Sequence, residues 1–238
     1  MSRVRVYPLE NYTISVKSAQ YDEETSMQAK MKALQQYYEV NGTRISVEGI
    51  LIVKERGFPH VLLLHVANAF FRLPGGSVSE DEVVNKYGEN GTSGEETLES
   101  GSGMGESSGF NLGYGHGPNE LEKMVLRKSL NKHLAALRSD DMDETEVMDM
   151  DWQIGEQVAT WYRPHFEQYM YPYLPAHISS PKEIRKFFVV QLPEQRKLVV
   201  PKNMNLVAVP LFELYENSSK YGAQYASLPQ ILSRFDFS

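Results

Sequence analysis

Residues 70–77 read FFRLPGGS, and the change of character inside this short stretch governs how the rest of the chain is read. Ala69 to Leu73, with Phe70 and Phe71 at the centre, has the make-up of a short strand, which sends neighbouring side chains to opposite faces. Pro74 ends it, and Gly75-Gly76 suit a tight turn in which bare backbone comes close to another group. One aromatic on each face and an open backbone turn describe the rim of a site. The residues around it decide what kind of site.

Upstream, RISVEGILIVK (44–54) and HVLLLHV (60–66) are rich in branched side chains and flank ERGFP, which predicts a hairpin turning near Gly57 to Pro59. Before them, Met27, Met31, Leu34 and Tyr38 repeat at helical spacing, with Thr25 or Ser26 to cap and Asn41-Gly42 to stop. Downstream, ELEKMVLRKSLNKHLAALR (120–138) carries Leu126, Leu130, Leu134 and Leu137 as one apolar stripe of a second helix. Strands follow at 154–161, 186–192, 197–200 and 205–210, then short helices in LFELYEN and SLPQILSRF. A hairpin and irregularly alternating elements favour a mixed sheet between helical layers.

Between 85 and 119 lie 10 of the 17 glycines and no Lys or Arg after Lys86, the composition of a flexible acidic insertion rather than a domain. The 238 residues therefore read as one folding unit, with 1–42 as an N-terminal extension on a domain of 43–238. No run of about 20 apolar residues is present to cross a bilayer. Absence of cysteine excludes disulfides and thiolate zinc sites. A net charge of −7 argues against coating nucleic acid through phosphates, but leaves base reading open.

Leu73-Pro74-Gly75-Gly76 resembles the entry to a Nudix box, in which glutamates at i, i+3 and i+4 of a following helix hold divalent metal that activates water on a diphosphate. No register of the helix from Glu120 supplies them. If Arg127 takes the motif arginine, the metal positions are Lys128, Asn131 and Lys132; if Lys128 takes it, they are Ser129, Lys132 and His133. Asp140, Asp143 and Glu144 have the right spacing, yet Asp141 stands where the motif requires an inward apolar residue. Lysine in place of glutamate repels a metal ion.

The longer words FPHVLLLH, FFRLPGG, WYRPHFEQYMYPYLPAHISSPKE, LVAVPLFELYEN and SLPQILSRF closely resemble the small subunit of pre-mRNA cleavage factor I, over roughly residues 7–82 and 120–238. That resemblance implies a catalytically silent α/β Nudix fold, an α/β/α sandwich with a mixed sheet and an added N-terminal strand and helix. It implies no metal and no cofactor. The expected partners are single-stranded pre-mRNA bearing UGUA, a second copy of the chain, and a larger subunit with an RNA-recognition motif; the expected place is the nucleus. Residue by residue, the RNA-contacting positions are Asp22, Lys30, Glu48, Phe70, Phe71, Leu73, Tyr221 and Gly222, and the larger subunit is met by Tyr171, Tyr173 and Ile231. One of the two phenylalanines stacks on a base while the other packs inward. Glu48 can accept from guanine N1–H and N2–H₂ or from an adenine amine, and Leu73 packs beside the bases.

Two other functions fit parts of the chain: a hydrolase with displaced ligands at Asp140, Asp143 and Glu144 or in the insertion, and a scaffold that binds protein or nucleotide without turnover. The chain also departs from the family pattern twice, with Lys30 where an arginine is expected and Asp22 where a glutamate is. Lysine lacks the planar fork that engages two acceptors at once. Lys30→Arg is therefore expected to bind a UGUA oligonucleotide more tightly than the parent chain in a direct titration; equal affinity would refute the role given to Lys30.

Overall fold

The computed structural model describes residues 2–20, 26–78, 120–136 and 150–238. In chain order these form β1 (Ser2–Val4), β2 (Tyr12–Lys17), α1 (Met27–Asn41), β3 (Arg44–Glu55), β4 (Phe58–Val66), β5 (Phe70–Arg72) and β6 (Gly75–Ser77). After them come α2 (Glu120–Leu134), β7 (Gln153–Arg163), β8 (Glu183–Gln191), β9 (Arg196–Pro201), β10 (Met204–Pro210), the short helices α3 (Leu211–Leu214), α4 (Ser218–Tyr221), α5 (Ala223–Ala226) and α6 (Leu228–Leu232), and β11 (Phe235–Phe237). Asp22, the insertion at 85–119, Leu137 and the acidic triple Asp140, Asp143 and Glu144 lie outside the described residues.

The main sheet runs β10-β4-β3-β8-β7, with β5 added to β4 and β6 to β3. Its β3–β8 pairing is parallel and the rest antiparallel, so the sheet is mixed as the sequence suggested. Strict alternation sorts its side chains onto two cores. Val47, Leu51, Val53, Leu62, Leu64, Phe188 and Val190 face α2 through Leu126, Leu130 and Leu134. Ile50, Ile52, Val61, Leu63, Phe187 and Val189 face Leu214, Tyr225, Leu228 and Leu232 of the short helices. This is an α/β/α sandwich. Gly49 lies on the α2 face, where a Cβ would stand 3.0 Å from Val190 and 3.4 Å from Leu130, so the bare backbone lets α2 settle onto the sheet.

Helix α1 begins where expected: Ser26 caps it by accepting from Ala29 N at 3.2 Å, and Gly42 ends it at φ +76°. The N-terminal extension is tied down by backbone pairing of β1 parallel to β11 and β2 parallel to β9, and by a bridge between Pro8 and Lys54 of β3. At the end of β2, Lys17 Nζ donates to the carbonyls of Lys132 (2.7 Å) and Ala135 (2.8 Å), and beyond it Gln20 Nε2 also reaches Lys132 O. These donors satisfy carbonyls that the end of α2 leaves without helical partners.

The structure corrects the reading at two elements. The last word of the sequence is not helical throughout: α6 stops at Leu232 and Phe235 to Phe237 form β11, whose partner is the other end of the chain. The Pro-Gly-Gly segment is not a free turn either, because Gly75 to Ser77 pair with Glu48 to Ser46, and Gly49 N donates to Pro74 O at 2.8 Å. The close approach inferred for the glycines is thus to β3 and α2. A Cβ on Gly75 would stand 2.1 Å from Val47 O, which is backbone and cannot yield, whereas one on Gly76 would stand 2.2 Å from the hydroxyl of Ser129. Gly75→Ala should accordingly destabilise by about 1–3 kcal/mol or more in chemical denaturation. Gly76→Ala should lose less and regain most of it with Ser129→Ala; strictly additive losses in that double variant would refute the steric explanation.

Candidate functional site

The β5–β6 segment forms one lip of a cavity of about 310 Å³ at the small end of ligand pockets. Its walls come from five directions: Lys30 on α1, Arg44, Ser46 and Glu48 on β3, Phe70 and Arg72 on β5, Ser129, Lys132 and His133 on α2, and Glu183 and Arg185 on β8. Arg72 closes the lip on itself, its Nη2 donating to Gly75 O at 2.7 Å. Five side chains of Lys and Arg face two carboxylates there, so the chain's overall negative charge conceals a cationic cavity.

One buried carboxylate organises the floor. Glu183 Oε1 accepts from Arg44 Nη2 (3.1 Å) and Ser46 Oγ (2.9 Å), and Oε2 from Arg163 Nε (2.9 Å); Arg185 Nη2 lies 3.2 Å from each oxygen. Burial opposes its charge, but Arg185, Arg44 and Arg163 together hold it well below the usual carboxylate range. The Nε atoms of Arg44 and Arg185 are buried and make no hydrogen bond among the described residues.

Glu48 is 5% exposed and is held from both sides. Arg185 Nη1 lies 3.3 Å from Oε1, and Tyr225 donates its hydroxyl to Oε2 at 3.0 Å. Lys30 sits across the cavity with its Nζ 5.4 Å from the centroid of the Phe70 ring. Burial first, then the neighbouring guanidinium groups of Arg185 and Arg72, lower its pKa to about 8, against the opposing pull of Glu183 and Glu48.

The structure brings Lys30, Glu48 and Phe70 into one cavity and distributes the other expected residues elsewhere. Phe71 points to the opposite face, stacked on His65 (centroids 4.4 Å, 10°) and 4.8 Å from Tyr221. Tyr221 is buried, its hydroxyl bonded to Glu213, and Gly222 follows at φ +87° in the left-handed region. Leu73 does not line the cavity: its side chain is fully buried in the short-helix core, because the turn places it on the inner face of the sheet. Tyr171 and Tyr173 are exposed, their segment joined by backbone hydrogen bonds between Tyr171 and Tyr162 of β7. Ile231 is half-buried on α6.

Several residues that make the site escaped the sequence reading. Glu183 and Arg185 stand two apart on one strand and so share a face, a signal present in EIRKFF but indistinguishable there from a solvated ion pair. Tyr225 gave no local signal. The structure also selects one of the registers left open along α2: Ser129, Lys132 and His133, at i, i+3 and i+4, are the helix residues that line the cavity. None is a carboxylate, and no group of three or more His, Asp or Glu able to hold a metal occurs among the described residues. No helix among them is long and apolar enough to cross a membrane.

A Nudix family described as nucleotide hydrolase matches residues 2–87 and 108–235, and with the sandwich described above this makes the chain a Nudix-fold protein. It is 39% identical over 234 residues to pre-mRNA cleavage factor Im 25 kDa subunit 2 of Arabidopsis thaliana, covering 98% of this chain and 94% of that protein. It is 36% identical to cleavage and polyadenylation specificity factor subunit 5 of Dictyostelium discoideum, over 98% of this chain and 96% of that protein. Within the Nudix fold the chain therefore belongs to the small-subunit family of pre-mRNA cleavage factor I.

The electrostatics of the cavity can be read directly at Lys30. Its ¹³Cε resonance should titrate near pH 8 rather than at the roughly 10.4 of a free lysine. Glu48→Gln, which removes an attracting charge, should move the midpoint lower still. A midpoint at the free value in both forms would mean that the ammonium is solvated.

Proposed function

We propose that this cavity binds single-stranded RNA bearing a UGUA-type element, and that the chain serves in the nucleus as a catalytically silent small subunit in pre-mRNA cleavage and polyadenylation. One observation carries the reading: a half-buried aromatic ring, Phe70, and a clamped acceptor, Glu48, share a cationic cavity whose α2 wall presents Ser129, Lys132 and His133. Stacking on a ring and hydrogen bonding to base edges are the means by which single-stranded RNA is read. A diphosphate hydrolase needs carboxylates on that helix to gather metal.

The naming of the Arabidopsis and Dictyostelium proteins as cleavage factor subunits supports the same assignment. Assembly as a homodimer with a larger subunit carrying an RNA-recognition motif belongs to the proposal. The exposed rings of Tyr171 and Tyr173, 5.9 Å apart, supply the aromatic surface that interface cores favour, with Ile231 as a further contact.

The deciding experiment titrates a UGUA oligonucleotide and a scrambled one against the parent chain and the variants Phe70→Ala and Phe71→Ala. The parent should prefer UGUA. Phe70→Ala should weaken that binding by about 1–3 kcal/mol, roughly 5- to 150-fold, while Phe71→Ala, already covered by His65 and Tyr221, should affect folding stability more than the RNA contact. Equal affinity for both oligonucleotides would refute the proposal. Metal-dependent release of phosphate from dinucleoside polyphosphates would refute its catalytic half.

A further inference from the structure

Glu48 lines the cavity, but what fixes it comes from behind. Tyr225, on α5, is 1% exposed, does not line the cavity, and stacks its ring on Phe187 of the sheet (centroids 6.0 Å, 19°). Its hydroxyl has two buried neighbours, Glu48 Oε2 at 3.0 Å and Arg185 Nη1 at 3.4 Å. Arginine can only donate and an ionised carboxylate can only accept, so the single phenolic proton points at Glu48. Burial and the charge of Glu48 push the phenol above its ordinary pKa, which keeps that proton in place.

The two oxygens of Glu48 are thus held by different donors, Oε1 by Arg185 and Oε2 by Tyr225, and each retains a lone pair. A carboxylate locked about its own axis can meet two parallel donors together. Guanine offers such a pair on its Watson–Crick edge, N1–H and N2–H₂, while adenine offers only one amine there. A carboxylate free to rotate would accept the adenine amine almost as well.

We propose that Tyr225 is a positioning residue that sets guanine selectivity at Glu48. The inference rests on the RNA reading above and deepens it. Tyr225 touches no RNA; it acts through the carboxylate it orients.

The test uses the full chain and compares UGUA, UIUA (inosine lacks the N2 amine) and UAUA by fluorescence anisotropy. Tyr225→Phe keeps the ring on Phe187 and removes only the hydroxyl. It should reduce the preference for UGUA over UAUA about tenfold, the scale of one hydrogen bond to a charged group, and shrink the loss caused by inosine, with UAUA affinity within about twofold of the parent. A fall of equal size on all three oligonucleotides would mark Tyr225 as merely structural, and unchanged selectivity would refute the proposal outright. Should Tyr225→Phe lower stability, the cycle with Glu48→Gln still decides. In the Glu48→Gln background, Tyr225→Phe should change selectivity no further; independent, additive effects would overturn the mechanism. If the parent chain itself shows no preference for UGUA over a scrambled sequence, the RNA reading fails first and this proposal with it. A parent chain that prefers UGUA but is unaffected by Tyr225→Phe loses this proposal alone.

Discussion

A carboxylate with 1% exposure needs partners, and Glu183 has three arginines around it. Arg44 comes from β3, Arg163 from β7 and Arg185 from its own strand, so the ion cluster crosses three adjacent strands at the end of the sheet where the cavity opens. Removing Glu183 would leave three buried arginines without their shared counter-charge, the costly way to break a buried ion pair. Arg185 is the arm that reaches outward from this cluster to Glu48, and through the shared hydroxyl to Tyr225. The acceptor at the cavity wall is therefore anchored to the fold rather than tethered to a flexible side chain.

The same cluster also occupies the carboxylates that line the cavity. Its two carboxylates are already engaged by guanidinium groups, and the facing helix adds Lys132 rather than another acid. A divalent cation there would have to displace arginines whose charge it repels. The surplus of positive charge favours a ligand with oxygen acceptors and an anionic backbone. The glycine lip and α2 thus enclose a space in which positive charge exceeds negative among the described residues.

How much of this was legible in sequence follows from how local each signal is. Leu126, Leu130 and Leu134 announce α2 through a period contained in the helix itself, and the branched runs of β3 and β4 do the same for the hairpin. FFRLPGG marked the lip and its glycines a close approach of bare backbone, yet what they approach was hidden, since the atoms they avoid belong to Val47 and Ser129, far away in the chain. Strands β1 and β11 were missed because each is three residues long and finds its partner at the opposite end of the chain. Family resemblance supplied Lys30, Glu48 and Phe70, which do meet in the cavity. It also supplied Leu73, whose side chain is in the core. Tyr225 could not be found by pattern, because a tyrosine at a helix face looks alike whether its hydroxyl meets water or a carboxylate.

Lys30 shows how the scaffold and the site constrain each other. It lies in a place where burial and two guanidinium neighbours all disfavour its charge, and only Glu183 and Glu48 favour it. An arginine there would stay charged whatever its surroundings and would bring a fixed fork of donors. A lysine lowered to about 8 is instead a single donor whose charge is partly lost just above neutral pH. For a depressed lysine the sign is definite: the charged form predominates below pH 8, the neutral form above it, so attraction to an anionic backbone weakens as pH rises through that value. Its closeness to Phe70 couples this charge to the ring, because a cation over an aromatic face polarises the surface on which a base would stack. The residue that departs from the family pattern is thus placed where a change of chemistry, rather than of shape, alters what the cavity holds.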